Sequence, residues 1–248
     1  MNEDVTVAEG TAGLSQIERV ADVFLAPGAT FEDIRRSASW WLPFLLTVFA
    51  TVAVTLAIQY KVGWDQVVQT QVQMNPSLQN RMSSLAPDVQ QTQMRRMVMS
   101  YEYSAYAAPL LILAVAALGS LILWSSFRFG LASDITYGQM FSVWMYSSLP
   151  HLLGALVTVI VLCFGSSPES FNLRNPIGTN LAYYLPDASS WVRALLSYFD
   201  VLGVWVLVLL VMGCAIVGKV KTTAAAAVVL GWWLLVILVS VGAAAAFS

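Results

Sequence analysis

Charge is what this sequence has least of. Only 10% of its 248 residues are Asp, Glu, Lys or Arg, while 58% are apolar. Water-soluble domains carry about a quarter charged residues. The chain therefore has too few charges to wet a globular surface, and lipid is the solvent that removes the demand. A net charge of −2 excludes the basic field that holds nucleic acid. Histidine is nearly missing: His151 stands alone and cannot build an imidazole metal site by itself. No HExxH run occurs, so neither a metal nor a cofactor is expected. Two cysteines, Cys163 and Cys214, lie in apolar runs without CxxC spacing. They read as small hydrophobes, not as a disulfide framework. The opening residues Met1–Asp4 are acidic, so no removable secretory signal, which needs a basic start, is expected.

What the chain does have is long uncharged runs. A spanning helix needs roughly 20 apolar residues, because the hydrocarbon core is about 30 Å thick. Five such runs predict spans over about 40–60, 105–127, 138–164, 199–218 and 223–246. The last two are separated only by Lys219-Val220-Lys221, enough for a tight helical hairpin. The expected fold is all-α: a polytopic membrane bundle of about five helices over 37–248, preceded by an amphipathic segment over 1–36. External loops are expected over 61–104 and 165–195. Five spans place the termini on opposite sides. The twelve lysines and arginines divide equally between the two sides. Arg35, Arg36, Arg128, Lys219 and Lys221, however, crowd short segments at span ends, where such charges set orientation. This favours a cytoplasmic N-terminus and an external C-terminus. Trp40-Trp41, Tyr60, Trp64, Tyr103, Tyr106, Trp124 and Phe127 flank the first two spans, where aromatic rings prefer the headgroup level. Trp232-Trp233 falls mid-span and reads as helix packing.

The connecting segments carry weaker signals. Leu14, Ile17, Val20, Phe24 and Leu25 have helical spacing. Pro27-Gly28 breaks that pattern, and Thr30 with Asp33 reads as an N-cap opening a second short helix. Such helices lie either in the membrane interface or under the bundle. In the first loop, Pro87 suits a helix start. Val89, Met94, Met97, Val98 and Tyr101 form a rough apolar stripe after it. Thr136 with Gln139 reads as a capping box for the third span. Pro168, Pro176, Gly178 and Pro186 make the third loop irregular. Ala116 with Ser120, and Ala227 with Gly231, permit close helix approach.

Groups able to do chemistry are scarce. Gly165-Ser166-Ser167 has no evident base beside it. Gly213–Val220 approaches a phosphate loop but ends in Val220 where Ser or Thr is needed, within an apolar helix. No catalytic residue is expected. One candidate is an intramembrane polar site: His151 after Pro150, with Tyr146, Ser147 and Ser148 a turn earlier. An ionisable group in lipid faces the bundle interior and marks a proton or substrate site. The competing reading is a neutral imidazole that satisfies carbonyls freed by the proline. Asp200 reads as a cap for the fourth span.

One resemblance organises these fragments. Phe24-Leu25-Ala26-Pro27-Gly28-Ala29-Thr30-Phe31-Glu32-Asp33-Ile34, followed by Trp40-Trp41-Leu42-Pro43, resembles the opening of bacterial Yip-domain proteins. These are relatives of the Ypt/Rab-interacting multi-pass membrane proteins of eukaryotes. Tyr146-Ser147-Ser148-Leu149-Pro150 is similar to that family's Tyr-Ser-x-x-Pro segment. Asp200 through Trp205 is similar to its Asp-x-Phe-x-x-Trp helix opening, with Leu202 where an aromatic is usual. The resemblance implies a five-helix membrane domain with a cytosolic N-terminus, in a bacterial cytoplasmic membrane. It implies membrane organisation, scaffolding or a trafficking-like role without catalysis, with the lipid bilayer, self-association or other membrane proteins as partners. Only residues 1–36 precede the first span, which argues against small-GTPase binding. The alternative is a small-solute transporter or channel component using the site near His151.

Overall fold

In hydrocarbon the backbone must satisfy its own polar groups, and an α-helix does so within one segment. The computed structural model describes residues 13–165, 168, 171–173, 175–185 and 188–246. It is all-α, with no strand among the described residues. Met1–Asp4, Ser166, Ser167 and Pro186, named above, lie outside them. Five stretches are long and apolar enough to cross a membrane: Trp41–Lys61, Pro87–Gly130, Tyr137–Phe164, Val201–Gly218 and Thr222–Ala246. Their outer faces expose Phe49, Leu110, Val115, Leu118, Leu238 and Val239. An apolar surface so wide suits lipid, not water.

The N-terminal segment forms two helices, α1 (Gln16–Leu25) and α2 (Pro27–Arg36). Ser15 and Glu18 close a capping box on α1. Pro27 occupies the first turn of α2, where its missing N–H costs nothing. Thr30 is thus inside α2 and not its cap; it is fully buried and donates to the Arg19 carbonyl at 3.0 Å. The apolar stripe of α1 is also displaced from the expected one. Val23 is buried, Val20 and Phe24 flank it, and Ile17 and Leu25 point outward. The buried face is centred on Arg19 and Val23 because Arg19 pairs with Asp33 of α2.

After α3 (Trp41–Lys61), the segment between the first two spans is largely helical: α4 (Trp64–Gln73), α5 (Pro76–Ser83) and the first half of α6 (Pro87–Ser125), which starts at Pro87 as expected. Gly63, at φ +83°, makes the turn between α3 and α4 in a conformation that favours glycine. Trp64 and Val67 of α4 pack on Val98, Tyr101 and Ala105 of α6. That pairing gives the apolar stripe of the segment a partner. α6 runs 39 residues without a break, passing Pro109. At about 1.5 Å per residue it is about 58 Å long, nearly twice the hydrocarbon thickness. It ends in a wider π turn, Ser126–Gly130.

The third span is two helices, α7 (Tyr137–Ser147) and α8 (Pro150–Phe164), interrupted at Ser148-Leu149. Thr136 and Gln139 close the capping box on α7. A short helix α9 (Ser190–Ser197) leads to α10 (Val201–Gly218) and α11 (Thr222–Ala246). Lys219, at φ +52°, turns the chain between the last two. The core joins α1, α2, α6, α7 and α10 around Phe31, Ile34, Phe127, Met140, Val143 and Tyr146. Glycine sets the closest approach: a Cβ on Gly119 would stand 2.2 Å from the Trp144 ring, and one on Gly213 would stand 2.7 Å from Phe31. Ala116 and Ser120 are buried in the same way, whereas Gly231 meets nothing within 4 Å. Trp232 donates to the Ser126 hydroxyl at 3.0 Å, and Trp233 packs edge-on to Phe199.

Candidate functional site

The α1–α2 hairpin is built into the bundle core. Phe31 meets Gly213 and Val143, and Phe24 packs edge-on against Trp205 at 5.6 Å. A buried polar cluster fastens it. Arg19 Nε and Nη2 both reach Asp33 Oδ2 at 2.6 Å, and Nη1 donates to the Ser37 carbonyl at 2.9 Å. Asp33 Oδ1 accepts from Arg36. Tyr146 Oη donates to Gln16 Oε1 at 3.0 Å, tying α7 to α1. Arg19 and Asp33 are 3% and 4% exposed. Burial acts to raise the Asp33 carboxyl, but hydrogen bonds from Arg36 and Arg19 outweigh it and hold the group below its ordinary value of 3.8. At the exposed start of α1, the Ser15 backbone and then its hydroxyl hold Glu18 below its ordinary range.

Beside this hairpin three segments enclose an open polar depression of about 830 Å³. Glu32, Arg35 and Arg36 come from α2, Asp134 from the turn before α7, Gln139 from its first turn, and Lys219 from the α10–α11 turn. Ser133 Oγ donates to the Gly218 carbonyl at 2.7 Å, closing the end of α10. Gln139 Nε2 donates to the Arg35 carbonyl at 3.0 Å, joining α7 to α2. Arg128 pairs with Asp134 at 3.1 Å on the rim.

A second cavity, about 850 Å³, lies between α3, α6 and α8 beside Phe171, Leu173 and residues 175–180. Its floor is made by the break in the third span. Pro150 has no N–H to continue the α7 ladder, so α8 begins afresh there. Ser148 and His151 line the cavity, and Asp200 faces it from the start of α10. Asp200 Oδ2 accepts from the Gly203 N–H at 3.2 Å and caps α10, while Oδ1 is buried without a hydrogen-bond partner. α10 begins deep. A Cβ on Gly154 would come within 2.8 Å of Leu202, yet α8 continues to Phe164, roughly 15 Å further.

The structure therefore divides the residues singled out from the sequence. Ser148, His151 and Asp200 meet at the cavity. Tyr146 and Trp205 turn to the N-terminal hairpin instead. Ser147 is fully buried with its hydroxyl unpartnered, and Pro150 is buried at the break. Sequence reasoning missed Arg19 and Asp33 as a pair. Cys163 and Cys214 are free thiols, and Cys214 Sγ approaches Met140 Sδ at 3.6 Å. No group of three His, Cys, Asp or Glu side chains suited to a metal occurs among the described residues.

Comparison with known proteins fits this architecture. The Yip1 domain family model matches residues 21–244. No curated protein and no solved structure matches the chain. The match takes in the second half of α1, all of α2, the first four spans and the fifth up to residue 244. The chain is a multi-pass membrane protein and belongs to the Yip1 domain family.

Proposed function

We propose that the protein works without catalysis, as a scaffold that receives partner proteins on the face carrying its N-terminal hairpin. The observation that carries this reading is the polar depression of about 830 Å³. A chain with 10% charged residues gathers Glu32, Arg35, Arg36, Asp134 and Lys219 around one concave surface. Both signs are present, which suits a protein surface of complementary pattern and gives specificity more than raw affinity. The buried cluster beneath keeps that surface in one shape. We infer that this face is cytoplasmic from the basic residues at the adjacent span ends; a bacterial cytoplasmic membrane rests on the family resemblance alone.

A photocrosslinking residue at Arg35 or Lys219, in native membranes, tests the reading. Discrete protein adducts are expected there, including adducts to a second copy, and lost on charge reversal of Asp134. Crosslinks to lipid alone, the same as those from Leu110 on the outer face of α6, would refute it. A second reading is a small-solute transporter or channel component, favoured by His151 and Asp200 at one mid-bundle cavity. Solute flux into reconstituted vesicles that disappears in His151→Ala would establish it, and equal flux would remove it.

A further inference from the structure

The polar groups that line the cavity between α3, α6 and α8 fall into two sets. The cavity has the size of small-molecule pockets, which are mostly apolar with a few placed polar groups. Val54, Ile58, Ala105, Ala108 and Ile112 line the side made by α3 and α6. One set of polar groups is engaged or sealed. Thr47, Thr51, Ser148 and Thr158 each donate to a backbone carbonyl three or four residues earlier, at 2.7 to 2.9 Å. Asp200 Oδ2 accepts from the Gly203 N–H, and Oδ1, like the Trp64 indole N–H, is closed off by surrounding protein. This set is therefore largely closed to an occupant.

The other set is open. Thr47, Thr51 and Thr55 stand one turn apart along α3, but Thr55 does not repeat the bond that the other two make. Thr55 is 4% exposed, and its hydroxyl has neither a hydrogen-bond partner nor protein sealing it off. What it is open to is the cavity it lines. A buried hydroxyl without a partner calls for an explanation. Ser104 on α6 and His151 on α8 line the same cavity and are exposed there. Their side chains make no hydrogen bond among the described residues. The three groups come from three helices, and a hydroxyl or a neutral imidazole can both donate and accept. An ammonium head can only donate to them, and a carboxylate head can only accept. A hydroxyl head does both.

We propose that this cavity binds an uncharged amphiphile with a hydroxylated head, of the monoacylglycerol class. Its hydroxyls meet Thr55, Ser104 and His151, and its acyl chain lies against the apolar side of α3 and α6. The stretch of α3 that lines the cavity, from Thr47 to Ile58, is about 16 Å long. That is about half the hydrocarbon thickness, which suits a single chain within one leaflet. The source is the bilayer, since the walls belong to three spans. The proposal concerns occupancy and holds with or without transport.

The test uses the full chain in phosphatidylcholine nanodiscs, titrated with monolauroylglycerol and read by thermal unfolding. Methyl laurate, laurate and dodecylamine serve as controls of equal chain length. Monolauroylglycerol is expected to raise Tm saturably, and each control to bind about tenfold more weakly. Thr55→Val keeps the shape of the side chain and removes its hydroxyl. It is expected to weaken monolauroylglycerol about fivefold and to leave methyl laurate unchanged. Ala108→Phe, which fills the apolar side, should abolish the saturable response; should that variant fail to fold, Thr55→Val decides alone. No saturable shift in the unaltered protein, a control that binds as tightly as monolauroylglycerol, or undiminished binding by Thr55→Val would overturn the proposal.

Discussion

At the scale of single residues, the strongest forces in this molecule act where the sequence is least explicit. In the sequence Arg19 is one of twelve lysines and arginines, and Asp33 reads as part of a helix cap. They are 14 positions apart, and only the hairpin brings them together. A buried pair is weak evidence of net stability, but breaking it strands a charge. Arg19→Met or Asp33→Leu alone should cost about 3–5 kcal/mol. The double variant, which removes both charges, should recover most of that loss, and thermal unfolding in detergent measures all three. The pH dependence follows from the lowered Asp33 carboxyl. Its contribution is complete above the unfolded value near 3.8 and is lost as pH falls through the lower folded one. The folded protein should lose Tm on acidification below about pH 4, and the double variant should lose less. Gly213→Ala puts a methyl 2.7 Å from Phe31 and Val143. It should destabilise by about 1–3 kcal/mol, whereas Gly242→Ala, with nothing within 4 Å, should be neutral.

At the scale of elements, the five spans were legible because lipid imposes one requirement, a run of about 20 apolar residues. Lys219-Val220-Lys221 and the Thr136–Gln139 box also marked their elements correctly. Segment 61–104 was harder. Its Gln- and Met-rich sequence weakens the helical period; α4 packs Trp64 and Val67 in one cluster with residues of α6, and Asn75 caps α5. Thr30 misled because a capping pattern appears equally well inside a helix, where here its hydroxyl serves Arg19. Of the candidate site, Pro150 and His151 were visible as a break and an ionisable group within a span. That Asp200 shares their cavity was not, since it depends on α10 starting lower than α8 ends. The hairpin is held chiefly by Phe31 and Ile34, both fully buried. Phe31→Ala should cost about 3–5 kcal/mol. Trypsin should then cut at Arg19, which is 3% exposed in the intact protein, much faster than before.

For the whole molecule, the arrangement sets the two ends of the bundle apart. The hairpin, the turn at 128–136 and the turn at 219–221 share one end. Five spans then put the α4–α5 region at the other. Single cysteines at Lys221 and Ser83, in a chain lacking Cys163 and Cys214, should react with an impermeant maleimide from opposite sides of a sealed membrane. Labelling of both from one side would disprove five crossings.

The seat of the hairpin also fixes an order of events during synthesis. α1 and α2 leave the ribosome first, but the surfaces that receive Phe31 belong to Val143 and Gly213, made much later. Arg19 and Asp33 must meanwhile wait at the membrane boundary, still hydrated. The last helices to be inserted thus complete the site for the first, and a chain arrested before α10 would carry its hairpin undocked.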